Sequence, residues 1–123
     1  MKTVERKKIS VEDIKKLVEM LNKEEEINES VENVSIIKKD EYGTNYIEVN
    51  NEQIPLCVFA DVIKRLLPEK YALYLVTYYT HYEHCVLEIY NDLDDCIYKT
   101  TGDDEAYAIV SWFIRKYIQK KGE

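Results

Sequence analysis

Three glycines and two prolines in 123 residues leave little room for loop-borne chemistry. Gly43 and Gly102 each stand alone, so there is no phosphate-cradling loop and no dinucleotide fingerprint, and nucleotide enzymes are disfavoured. No segment is of low complexity and no repeat recurs, which points to one domain over 1–123, long enough to bury roughly two-thirds of its unfolded surface. Within it, 1–9 read as a basic flexible N-terminus and 119–123 as a frayed C-terminus. No apolar run approaches the ~20 residues of a membrane-spanning helix, and MKTVERKKIS lacks the hydrophobic stretch of a secretory signal. A soluble cytoplasmic protein without membrane contact is expected.

Cysteine is equally sparse. Cys57, Cys85 and Cys96 are widely and irregularly spaced, which makes neither a disulfide framework nor a zinc signature. Reduced thiols are expected, and a Cys85–Cys96 bridge is set aside on the odd count and the intracellular reading.

Charge is abundant but unevenly placed. The total is −7; residues 1–8 and 115–123 each hold four Lys/Arg against one Glu, so each end is +3. The middle, 9–114, then holds 9 Lys/Arg against 22 Asp/Glu, a net −13. Such a body repels phosphate backbones and favours basic partners, although surplus acid also serves solubility. Lys, Glu, Ile and Tyr are plentiful beside two Gln, a balance resembling proteins of thermophiles or AT-rich genomes.

The richest stretch is YALYLVTYYTHYEHCVLEIY, Tyr71 to Tyr90, with six of the eleven tyrosines and both histidines. Aromatic and β-branched residues without Gly or Pro predict a β-hairpin at the centre of a sheet. No Gly or Asn near His81-Tyr82 offers the positive φ of the tightest turns, so a four-residue loop, Thr80–Glu83, is expected. That pairs Tyr78 with Cys85 and Val76 with Leu87. Ala72, Tyr74, Val76, Tyr78, Cys85, Leu87 and Ile89 would then face the core. Leu73, Leu75, Thr77, Tyr79, His84, Val86, Glu88 and Tyr90 would form a reverse face too apolar to leave in water.

Along the chain, Ser10 with Asp13 resembles a capping box opening a first helix, whose stripe is Val11, Ile14, Leu17, Val18 and Leu21 and which fades at Glu24-Glu25-Glu26. Short strands are expected at Val34–Lys39 and Tyr46–Val49, a turn at Asn50-Asn51, and a largely buried helix from Pro55 to Leu67. After the hairpin come an acidic turn, a strand at Cys96–Thr100, and a third helix opened by Thr101-Gly102-Asp103-Asp104-Glu105 and closed near Gly122, with Trp112 at its margin. The order α-β-β-α-β-β-β-α predicts an α+β sandwich with a largely antiparallel five-stranded sheet, helices two and three on its dry face. Helix one, or a partner, is left to cover the reverse face.

Few constellations carry chemistry. His81, Glu83, His84 and Cys85 could ligate a transition metal, but strand geometry sends His84 and Cys85 to opposite faces, so no metal or other cofactor is expected. Cys57, in the first turn of the second helix, could be a nucleophile beside His81 or His84, yet Leu56, Val58 and Phe59 around it predict a buried small hydrophobe. Asp92-Leu93-Asp94-Asp95 resembles a calcium loop but lacks its glycine and closing Glu. The basic ends (Lys2, Arg6, Lys7, Lys8 and Arg115, Lys116, Lys120, Lys121) could touch nucleic acid if they converged, though a tail and a dipole-complementing helix end account for them.

The tyrosines are the remaining signal. Tyr79, Tyr82 and Tyr90 with Leu73, Leu75, His84 and Val86 have the composition of an interface centre. The expectation is a small non-enzymatic interaction protein, a homodimer through that face, whose Asp92, Asp94 and Asp95 engage a basic protein; direct nucleic-acid binding is not expected. A narrower version is an inhibitor occupying a partner's nucleic-acid-binding site, a viral accessory or anti-defence role in the host cytoplasm. The rival class is a small enzyme or ligand-binding domain with a Cys/His pocket at Cys57, His81 and His84.

Overall fold

Ser10 opens the first helix through a reciprocal pair of bonds: the Asp13 amide donates to Ser10 Oγ at 3.2 Å, and the Ser10 amide donates to Asp13 Oδ2 at 3.0 Å. In the computed structural model, which describes residues 8–80, 85–102 and 104–119, α1 runs Val11–Glu24 and ends among the three acids that oppose its dipole. Ile14, Leu17, Val18 and Leu21 are buried, while Val11 stays exposed. The stripe packs on the second helix and on the C-terminal turn of the chain. It therefore does not cover the reverse face of the sheet that holds the tyrosine-rich hairpin.

Beyond α1 the chain is extended, joined to the sheet by a bridge between Val34 and Val49. Three antiparallel strands follow in the order β1 (Lys38–Lys39), β2 (Asn45–Val49) and β3 (Glu52–Pro55). β1 is shorter than expected and β3 was not expected. Asn50 and Asn51 both take positive φ, 50° and 70°, between the paired Val49 and Glu52. Asparagine tolerates this conformation, so the Asn-Asn pair makes a two-residue hairpin turn rather than a simple exit to the helix.

α2 spans Leu56–Tyr71, past the expected end at Leu67, because Pro68 removes only one helical bond and the helix runs on to Ala72, whose left-handed φ of 54° caps it. Leu73 N then donates to Leu67 O at 3.0 Å, which swings Leu73 into the core. Glu24 and Glu25 at the end of α1 pair with Lys70 and Arg65 of α2. Cys57 is exposed on α2, which corrects its reading as a buried hydrophobe: the helix turns Leu56, Phe59, Ala60 and Ile63 inward and Cys57 and Val58 outward.

A second antiparallel sheet holds β4 (Tyr74–Tyr79), β5 (Cys85–Tyr90) and β6 (Cys96–Gly102), with β5 central. α3 (Glu105–Phe113) is capped by Asp104, whose Oδ1 accepts from Tyr107 N at 3.1 Å, and continues into one π-helical turn, Ile114–Ile118. The fold is α+β, but the single five-stranded sheet is replaced by two three-stranded sheets in the order α-β-β-β-α-β-β-β-α. α2 packs against β2, β3 and β4, so it lies between the two meanders and each pairs only within itself. α2 on β4 and α3 on β5 and β6 do cover one face of the second sheet, as expected.

The hairpin register differs from the expected one by a residue. Tyr79 pairs with Cys85, Thr77 with Leu87 and Leu75 with Ile89, so five residues rather than four separate the paired ends. One residue reverses β4 relative to β5. Leu73 is in the core and Leu75 packs against it, while Tyr74, Val76 and Tyr78 point the other way. The physical reason is the core itself: burying two leucines leaves the tyrosine hydroxyls in water, whereas the expected register would have buried hydroxyls needing partners. Cys85, Leu87 and Ile89 face inward as expected. Cys85 pairs with Gly102 and Cys96 with Tyr90, at opposite ends of β5–β6, and all three thiols are free.

Candidate functional site

β5 sets the centre of the reverse face. Its outward residues Val86, Glu88 and Tyr90 stand opposite Tyr78, Val76 and Tyr74 on β4, and Val86 and Glu88 stand opposite Thr101 and Lys99 on β6. Tyr74, Val76 and Tyr78 are 52%, 43% and 43% exposed, and Val86 is buried beneath its neighbours yet outside the main core cluster. Among the described residues the helices pack on the opposite side of this sheet. The face is an apolar and aromatic surface with a polar centre.

Glu88 is that centre. Its Oε1 accepts from Tyr90 Oη at 2.6 Å, its Oε2 accepts from Tyr78 Oη at 3.3 Å, and Lys99 Nζ lies 3.4 Å from Oε2. The Tyr90 hydroxyl, with Lys99 and Tyr78 adding to it, holds the Glu88 carboxyl below the usual carboxylate range. Reciprocally, the bond to Glu88 pushes the Tyr90 phenol up to about 12. Glu88's contribution to stability is thus present at neutral pH and lost as pH falls through its lowered pKa, and Tyr90's is present below ~10 and lost as pH rises towards its raised value. In a ring-labelled tyrosine NMR titration, Tyr90 is expected to ionise well above the ~10 of an ordinary phenol, and Glu88→Gln to return it towards ~10. Unchanged Tyr90 titration in that variant would contradict the bond.

Of the residues singled out from sequence, Val86 and Tyr90 lie on this face, joined by Glu88. Leu73 and Leu75 do not; both turn towards the helices. Tyr79, 67% exposed, sits at the end of β4 opposite Cys85. His81, Tyr82, Glu83 and His84 lie outside the described residues, as do residues 1–7, Asp103 and 120–123, which hold several of the basic ends and the expected stop at Gly122. Asp92, Asp94 and Asp95 occupy an exposed turn in which Asn91 Oδ1 accepts from the Leu93 and Asp95 amides, each at 2.9 Å. Leu93, 76% exposed, projects from the same turn. Sequence reasoning assigned Tyr74, Val76 and Tyr78 to the core and missed Lys99 on the reverse face; the alternation was legible, but its phase was not.

Of the rival pocket only Cys57 lies among the described residues; His81 and His84 lie outside them. A cleft of about 590 Å³ runs between β6 and the α3–π segment, bordered by β2, and its walls include Tyr98, Thr100, Asn45, Tyr107 and Arg115 but not Cys57. Among the described residues no group of three or more His, Cys, Asp or Glu side chains is placed to hold a metal ion, and no helix is long and apolar enough to cross a membrane. No protein-family model, curated protein or solved structure matches the chain.

Proposed function

We propose that the chain is a small non-enzymatic interaction module that pairs with a second copy of itself through the reverse face of β4–β5–β6. The observation that carries this reading is the exposure of Tyr74, Val76 and Tyr78 side by side on a face that none of the described helices covers. Contiguous apolar and aromatic surface of this kind is the usual composition of an interface centre. A second copy suits it because Glu88 and Lys99 balance each other there, so two chains of net charge −7 can meet at this face without opposing like charges across it.

The acidic turn at Asp92, Asp94 and Asp95 lies at the β5–β6 connection and would stay available to a basic protein. In the narrower form of the proposal the module acts in the cytoplasm as an inhibitor, its acidic body occupying a basic nucleic-acid-binding surface. That form rests on charge.

Light scattering coupled to size exclusion tests the pairing. The wild type is expected at twice the 14.6 kDa chain mass, and Val76→Glu at the single-chain mass with an unchanged far-UV CD spectrum. A wild type that elutes at 14.6 kDa at tens of micromolar would refute the dimer.

A further inference from the structure

We propose that the cleft between β6 and the α3–π segment binds a small phosphate monoester, with Arg115 as its main hydrogen-bond donor and Lys39 as its second positive charge. The inference is independent of the pairing proposed above, because the cleft is built largely on the helix-bearing side of the second sheet.

Arg115 is the anomaly that points to it. Lys38, Lys64, Arg65, Lys70 and Lys99 all pair with carboxylates. In a chain with 24 Asp and Glu, the Arg115 side chain makes no ion pair or hydrogen bond among the described residues, and its Nε is buried without a partner. A buried guanidinium donor left unpaired costs free energy, and a planar fork of donors fits a phosphate better than any other side chain does. The π turn that carries Arg115 keeps Ile114, Tyr117 and Ile118 packed on the core while Arg115 lines the cleft. Single π turns of this type recur at functional sites.

The surroundings have the matching charge. Arg115 also lines two smaller depressions, one shared with Lys8 and one with Lys116, so four cations gather on an otherwise acidic body. Among the described residues Asp104 is the one acid lining the three, and its oxygens already accept from Asn45 Nδ2 and Tyr107 N. Thr100 adds a hydroxyl to the wall, and the rings of Tyr98 and Tyr107 offer a surface for an organic group. The volume suits a small ligand, and the negative charge of the rest of the molecule disfavours a long polyanion.

Phenyl phosphate and inorganic phosphate, titrated calorimetrically into the full chain at ionic strength matched with sodium chloride, provide the test, with a ten-nucleotide oligothymidylate as a parallel arm. Phenyl phosphate is expected to bind one per chain, Arg115→Lys to weaken it about tenfold by losing the forked contact, and the exposed Lys39→Ala to weaken it severalfold. Melting temperatures of the unliganded variants within a few degrees of wild type establish that binding alone has changed. No heat beyond the chloride control, or equal affinity in both variants, would overturn the site. Tighter binding of the oligonucleotide than of phenyl phosphate would overturn the small-ligand assignment in favour of a nucleic-acid contact.

Discussion

Phe113→Ala is expected to lower the unfolding free energy by about 3–5 kcal/mol, a large part of the 5–15 kcal/mol typical of a domain. Phe113 is 0% exposed at the junction where α3 passes into the π turn. Its ring meets Tyr71 of α2 edge-on at 5.9 Å and Tyr117 at 5.0 Å, and Tyr117 in turn contacts Tyr71 at 4.4 Å and Trp112 at 5.9 Å. Trp112 reaches Tyr98 on β6 at 6.0 Å. One aromatic cluster thus joins the end of α2, the last helix and the second sheet, and deleting the fully buried Phe113 ring removes its contacts with both Tyr71 and Tyr117. The loss adds a cavity that these rigid neighbours cannot collapse to fill. Urea unfolding followed by Trp112 fluorescence and far-UV CD measures it. A cost below about 1 kcal/mol would mean that Phe113 is not tightly packed in that cluster, whereas Tyr107→Ala, at a half-exposed site on α3, is expected to cost far less than Phe113→Ala.

The cap and stripe of α1 were legible because they depend on neighbours within four residues: Ser10 and Asp13 satisfy each other, and Ile14, Leu17, Val18 and Leu21 recur at helical spacing. The α+β class was legible for the same reason. What failed needed longer-range information. Asn50-Asn51 was recognised as a turn, but whether the chain leaves it as a strand or as a helix depends on pairing with β2. The second helix, expected to end at Leu67, runs on through Pro68, because the buried Leu66 and Leu67 anchor it firmly enough to carry it past the missing bond. Trp112 was placed at the margin and is buried, because the aromatic cluster closes over it. The cleft was not legible, because Lys39 and Arg115 are far apart in sequence; that the two ends converge was only a condition, met here where Gln119 donates to Lys8 O at 3.1 Å and Asp13 Oδ2 at 3.0 Å.

The phase of β4 is the point on which sequence and structure part most sharply, and a pair of adjacent substitutions decides it. Leu75→Glu is expected to destabilise the chain by about 2–4 kcal/mol, because Leu75 packs on the core and placing a carboxylate there is costly. Val76→Glu, one residue along and 43% exposed, is expected to stay within about 1 kcal/mol of wild type while separating the proposed pair of chains. The opposite pattern, with Leu75→Glu tolerated and Val76→Glu unfolding the protein, is what the four-residue loop would produce, since it turns Val76 inward beside Leu87. Chemical denaturation of both variants, read together with their masses in solution, separates the two registers, because a one-residue slip cannot leave either side chain where it was. The proposed interface depends on that result: only with Leu73 and Leu75 committed to the core do Tyr74, Val76 and Tyr78 stand outward around Glu88 as one continuous surface.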